Sequence, residues 1–159
     1  MIESPLKRRL RFLQTLCRGL IIGVIGINVV VGMIVWYALD GVPLAGHRFT
    51  VGGVSMMTVV AAVLTFLIPA VSLWVAKTKS RTALTEHPGQ VIEAFALKTG
   101  IEFLPIAGTG FVWAIFYHIT AERMIWVLVA CLLAYLFARF PTTKRANAWF
   151  AKVTLPTPS

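Results

Sequence analysis

Two runs of the chain leave little choice of environment: Gly19 to Leu39 and Val51 to Ala76 contain no charged residue. A helix needs about 20 mostly apolar residues to cross a hydrocarbon core of roughly 30 Å, and both runs reach that length. Two further stretches follow the same rule less cleanly. Thr99 to Ile119 is uncharged except for Glu102, and Met124 to Ala138 is only 15 residues long, bracketed by Arg123 and Arg139, whose guanidinium groups can reach the two surfaces. Few residues separate these last two stretches, so they must form an antiparallel hairpin. The reading is all-α: a polytopic, four-transmembrane-helix bundle with spans of about 19–39, 51–76, 99–119 and 122–140.

Composition supports that class. Of 159 residues, 58% are hydrophobic and 13% charged, against about 25% charged in an ordinary soluble domain. The formal net charge of +9 would suggest nucleic acid in a soluble chain, but the basic residues sit between the apolar runs, so no nucleic-acid partner is expected. Thirteen of the fifteen Lys and Arg lie before span one, between spans two and three, or after span four; only Arg48 and Arg123 fall in the two opposite loops. An excess of basic residues in short flanking segments marks the cytoplasmic side, which places both termini there. Trp36, Tyr37, Trp113, Phe116, Tyr117 and Trp126 are expected at the outer interface, and Trp74, Phe140 and Trp149 at the inner one. The first span is too long for a signal-peptide core and reads as a retained helix. A bacterial plasma (inner) membrane is the preferred location, with a mitochondrial inner membrane as the alternative.

Residues 1–18 form a basic amphipathic juxtamembrane segment. Ser4-Pro5 reads as a helix start, after which Leu6, Leu10, Leu13, Cys17 and Leu20 share a face while Lys7, Arg8 and Arg11 point elsewhere. Residues 141–159 begin with a second amphipathic helix, Ala146, Trp149, Phe150 and Val153 opposing Lys144, Arg145 and Lys152, and end in a tail read as disordered. Both segments are expected to lie on the cytoplasmic leaflet, with Lys7, Arg8, Arg11, Lys144, Arg145 and Lys152 touching anionic lipid headgroups. Asp40 and Arg48 could pair across the first outer loop. Residues 90–98 could form an interfacial helix leading into span three.

Chemistry has few places to reside. Glu102 is the carboxylate that interrupts an apolar run, and a charge at bilayer depth costs roughly 2.5–3.5 kcal/mol on insertion scales. With span three starting at Thr99 it lies only about 4–5 Å inside, where Lys98, one turn earlier, can neutralise it; were the helix to enter near Ile92, its depth would be about 15 Å and a proton, cation or substrate role would be favoured. Pro69 and Pro105 fall at similar depths on antiparallel neighbours and free the carbonyls of Thr65 and Ile101, which reads as a pair of packing kinks or a break lining a path. Asn28, Thr65, Thr109 and Cys131 fall near mid-membrane, one per helix, as a shared polar layer. Gly19-x3-Gly23 is a close-contact motif on span one, and Gly100, Gly108 and Gly110 loosen span three.

His118 and Glu122, spaced i, i+4, are two ligands at most, and Cys17 and Cys131 lie at different depths, so neither a metal centre nor a disulfide is expected. Dinucleotide, phosphate-loop, nucleophile-elbow and metalloprotease motifs are missing from the sequence. These features point to a non-enzymatic membrane subunit, scaffold or assembly factor without cofactor, self-associating or part of a larger complex. The alternative is a small oligomeric transporter or channel that uses Glu102 and the polar layer.

Overall fold

A computed structural model describes residues 5–38, 50–51, 54–86 and 90–154. Five helices appear in chain order: α1 (Pro5–Ala38), α2 (Met56–Glu86), α3 (Val91–Thr120), α4 (Met124–Arg139) and α5 (Thr143–Thr154). Between α1 and α2 lies a minimal antiparallel pair, β1 (Thr50–Val51) and β2 (Val54–Ser55), with Thr50 opposite Ser55 and Val51 opposite Val54. The Asp40–Arg48 pair, His47, His87, the Ser4 cap and the 155–159 tail lie outside the described residues.

The helices are longer than the apolar runs. With 34, 31 and 30 residues, α1, α2 and α3 extend about 51, 46 and 45 Å at 1.5 Å per residue. Charged residues therefore continue the spans without a break. Lys7 to Arg18 is the first part of α1 and not a separate element, and residues 91–98 are the first two turns of α3. Span two starts later than its apolar run implies. Residues 51 and 54–55 are in the hairpin, because the Gly52-Gly53 dipeptide between β-branched residues is a two-residue hairpin signal. Ser55 then caps α2: its hydroxyl accepts from the Thr58 backbone N–H at 3.3 Å and lies 3.1 Å from the Thr58 hydroxyl.

Among the described residues, three helices are long and apolar enough to cross a membrane, and a fourth span arises if α4 and α5 are taken as one span bent by 62°. Alone, the 16 residues of α4 reach about 24 Å, short of a typical hydrocarbon core. Pro141 ends α4, because a residue before proline is forced out of the helical region, and Phe140 sits at φ −51°, ψ 133°. Thr142 restarts the chain as the cap of α5, its hydroxyl accepting the Arg145 N–H at 3.3 Å.

The central helix is α3, which packs against α1, α2, α4 and α5. Arg9 pairs with Glu93, and Asn28 with the carbonyl of Gly110, so α1 and α3 run parallel. Thr65 meets Trp113, and Ser55 N–H donates to Glu122 at 2.7 Å, so α2 is antiparallel to α3. The α3–α4 turn is short: the Ala121 N–H donates to Tyr117 O at 2.7 Å with Ala121 at φ 52°, a left-handed helix cap. One end of the assembly thus gathers the start of α1, the end of α2, the start of α3, the end of α4 and α5, and with them the basic segments.

Phe103, Ile106, Trp113, Ile125, Leu132 and Leu136 form the centre of the core, with Cys17 and Ile21 of α1 and Ala61 of α2. The outward faces of α1 and α2 are apolar as well: Ile22, Val30 and Met33, then Val63, Phe66 and Trp74, are all exposed. Surfaces of this kind match lipid or a partner and not water.

Candidate functional site

Lys98 and Glu102 occupy one face of α3 a turn apart, and their Nζ and Oε1 atoms are 2.6 Å apart. Glu102 is buried, 5% exposed, while 22% of the Lys98 side chain reaches the surface. Burial of a carboxylate is tolerable when an opposite charge sits within hydrogen-bond reach, and Lys98 supplies it from the same helix. The pair lies on the wall of an open recess of about 220 Å³ bordered by α3, the end of α4 and α5. Arg139, Arg145, Lys152 and Trp149 contribute to the same wall.

The recess exists because the chain bends by 62° between α4 and α5, at Pro141. The bend lays α5 beside the first turns of α3, where Phe95 meets Trp149 at 5.5 Å and Phe150 at 5.6 Å between ring centroids. Ala146 is buried and Trp149, Phe150 and Val153 are partly so, whereas Lys144, Arg145 and Lys152 are exposed. Gln14 of α1 secures the corner by donating to the Pro141 carbonyl at 2.9 Å. Arg139 places its guanidinium 5.6 Å from the Tyr135 ring centroid, and Arg18 lies over Phe140 at 5.8 Å.

The expected mid-depth polar layer does not form as one cluster. Asn28 is buried and donates to the carbonyls of Val24 at 2.8 Å and Gly110 at 3.0 Å. Thr65 donates to Ala61 O at 2.7 Å and accepts from the Trp113 indole at 3.0 Å. Thr109 turns back on its own helix, to Pro105 O at 2.8 Å. Cys131 faces outward and is exposed. The reason is rotation about each helix axis, which depth arithmetic does not contain: residues at one level can face α3, their own backbone or the outside. Trp113 changes place for the same reason. It is fully buried beside Thr65, in the core and not in an outer aromatic belt.

The two prolines do not face each other. Both lie inside uninterrupted helices, Pro69 buried and Pro105 exposed. They are therefore separate local irregularities and no shared break. The glycines differ too. A Cβ on Gly19 would meet nothing within 4 Å, so Gly19-x3-Gly23 makes no close helix contact within the chain; Gly23 lies against Phe111. Close approach occurs instead at Gly110, where a Cβ would sit 2.6 Å from Val24, and at Gly32, 2.6 Å from Trp126. His118 and Glu122 do not share a helix face, because α3 ends at Thr120 and the left-handed Ala121 redirects the chain; Glu122 binds the Ser55 N–H. No group of three or more metal-ligating side chains occurs among the described residues. Cys17 and Cys131 are both free thiols.

The pairing of Lys98 with Glu102 was legible from their spacing. Arg139 and Trp149 as neighbours of that pair were not, since only the turn at Pro141 brings them there. A Pro two residues after a basic helix end, followed by Thr and an amphipathic stripe, was the available signal. Comparison of the chain with known families, curated proteins and solved structures finds no match.

Proposed function

We propose that the chain is an integral plasma (inner) membrane protein with both termini cytoplasmic, acting as a non-enzymatic subunit, scaffold or assembly factor. The observation that carries the reading is the use made of the buried polar side chains. Asn28, Thr65 and Trp113 tie α1 and α2 to α3, and Glu102 is neutralised within α3 by Lys98, so these groups serve structure. Membrane insertion is supported by the three long apolar helices and by the apolar outward faces of α1 and α2. The orientation is supported by the collection of the basic segments at one end. At that end α5, its apolar stripe against α3 and its basic face outward, fits a helix at the cytoplasmic surface, and Lys7, Arg8 and Arg11 fit headgroup contact. The exposed faces of α1 and α2 suit a second copy or a larger membrane complex as well as lipid.

The test is native purification from the membrane followed by mass determination of the intact assembly. A homo-oligomer or defined complex is expected, with Asn28→Ala reducing its recovery; a chain that is always monomeric contradicts the reading. A second reading, a small oligomeric transporter or channel, is favoured by one observation: Glu102 is buried in an uninterrupted helix that starts at Val91, about 16 Å away along the axis. Vesicles containing the purified protein separate the two. A proton or cation flux lost in Glu102→Gln would replace the scaffold by the transporter.

A further inference from the structure

Between the first turns of α1 and α3 lies an apolar groove of about 450 Å³, with Leu10, Leu13, Ile92 and Ala96 in its walls and Phe150 of α5 beside them. Its level is fixed by the contacts of α1. Gln14 donates to the Pro141 carbonyl and Arg18 lies over Phe140, so the corner where α4 ends stands beside residues 14 to 18 of α1. The groove begins farther out, where the bordering residues Arg9 and Glu93 pair. Along the axis of α1, Leu13 and Leu10 stand about 9 and 14 Å beyond Gly19, the start of the uncharged run, and a usual tilt of about 20° shortens these distances by only about 6%. The headgroup layer is about 5–8 Å deep on each side. The groove therefore opens into water and not among acyl chains.

Phe12, which lines the same groove, is 70% exposed. An apolar hollow and a bare aromatic ring in contact with water are unfavourable, and together they have the anatomy of an interface core awaiting a partner. Charge selects that partner. At the rim Glu93 offsets Arg9, and Arg8 leaves the border net positive. A second copy of the chain would bring like charge, because this end carries Lys7, Arg8, Arg9 and Arg11 on α1, Lys77, Lys79 and Arg81 on α2, and the basic face of α5. None of the described helices combines an apolar stripe with an acidic face. The complement must come from a different protein.

We infer that the groove between α1 and α3 is the docking site for an acidic amphipathic helix of a cytoplasmic partner protein, its apolar side chains entering beside Phe12 and Leu13 and its carboxylates meeting Arg8. Recognition of this type uses apolar anchors at i, i+3, i+4 and i+7, with the flanking charges setting orientation and rate of encounter. The site rests on the membrane location and the subunit or scaffold role proposed above, and adds to them the chemistry of the protein that is held. It gives Arg8 a protein ligand in place of a lipid headgroup.

The test uses the full-length protein in phosphatidylcholine nanodiscs, which add no net charge, and a fluorescent synthetic helical peptide with leucines at the four anchor positions and glutamates elsewhere. Its counterpart with lysines in place of the glutamates is the control. Anisotropy should rise with the acidic peptide and not with the basic one. Phe12→Ala, at an exposed position where folding is not at stake, should weaken binding about tenfold, as for an interface anchor. Leu13→Trp, which fills the groove, should weaken it without altering charge. Arg8→Glu should cost about fivefold and reduce the salt dependence, whereas Lys144→Glu, an equal charge reversal on a residue outside the groove, should change nothing. No binding up to about 1 mM, equal binding of the two peptides, or equal losses in Arg8→Glu and Lys144→Glu would overturn the site. A smaller assembly mass for Phe12→Ala without peptide would assign the groove to a second copy and overturn the partner. Phe12→Cys in a Cys131→Ala chain should react with a charged, water-soluble maleimide; protection by the bilayer would place the groove among acyl chains and overturn it. Alkaline extraction of the same membranes separates the two failures: a chain that is released fails the membrane location, and one that stays and binds no peptide fails this site alone.

Discussion

The side-chain amide of Asn28 on α1 donates to the main-chain carbonyl of Gly110 on α3 at 3.0 Å, across an interface so tight that a Cβ at position 110 would lie 2.6 Å from Val24 Cγ1. Proximity and hydrogen bond depend on each other, since the carbonyl is reachable only because no side chain stands in the way. Gly110→Ala is expected to destabilise the protein by about 1–3 kcal/mol, the range of an overpacked contact. Val24→Ala in the same chain should recover a large part of that loss. Thermal or steric-trap unfolding in detergent measures both, and equal stability of Gly110→Ala and the parent would show that the interface is looser.

Trp113 and Thr65 form the corresponding tie between α3 and α2, the indole N–H donating at 3.0 Å. A double-mutant cycle of Trp113→Phe with Thr65→Val should give a coupling of about 0.6 kcal/mol, and no more than about 1.7, as for other hydrogen bonds inside membrane proteins. A coupling indistinguishable from zero would mean that Trp113 contributes by volume alone.

Breaking the Lys98–Glu102 pair should be worse than removing it. Glu102→Gln leaves the partly enclosed Lys98 among Arg139, Arg145 and Lys152 with its counter-charge gone, for a loss of about 1–3 kcal/mol. Lys98→Met combined with Glu102→Gln should be closer to the parent than either single variant, because no uncompensated charge is left. Unfolding midpoints of the four proteins decide it, additivity of the single losses being the contrary result.

Ala121 holds a left-handed conformation at φ 52° in the turn between α3 and α4. A Cβ is disfavoured there by about 1–2 kcal/mol, part of which returns as added freedom of glycine in the unfolded chain. Ala121→Gly is accordingly expected to gain about 0.5–1 kcal/mol. A loss of stability in that variant would contradict the cap geometry.

The docking of α5 depends on Phe95, whose ring touches both Trp149 and Phe150. Phe95→Ala should free α5 and speed tryptic cleavage after Lys144, Arg145 and Lys152 several-fold, since aromatic contacts of this kind contribute about 0.5–1.5 kcal/mol each. Unchanged cleavage would indicate that Ala146 and the Thr142 cap suffice.

Much of the molecule could be read along the chain. The uncharged runs identify the long helices, the stripe at Ala146, Trp149, Phe150 and Val153 marks α5, and the spacing of Lys98 and Glu102 pairs them. The misreadings share one origin. Assigning Cys131, Thr109 and Asn28 to one layer used depth alone, and the rotation that turns Cys131 outward and Thr109 onto Pro105 is decided by packing against α3. The start of the second span was misjudged where local chemistry competes with hydropathy, in the hairpin before Met56.

By itself, the sequence determined which segments are apolar enough to leave water and which carry the positive charge, because hydropathy and charge add up residue by residue and need no partner. Only the tertiary structure decided that α3 is the central helix, that Gly110 and not Gly19 permits close approach, and that Arg139, Arg145 and Lys152 line the same recess as the Lys98–Glu102 pair. Each of these depends on which faces of two helices meet. That choice is made by steric fit and hydrogen bonding between residues as far apart as Thr65 and Trp113, 48 positions, or Gln14 and Pro141, 127 positions, and no local pattern encodes it.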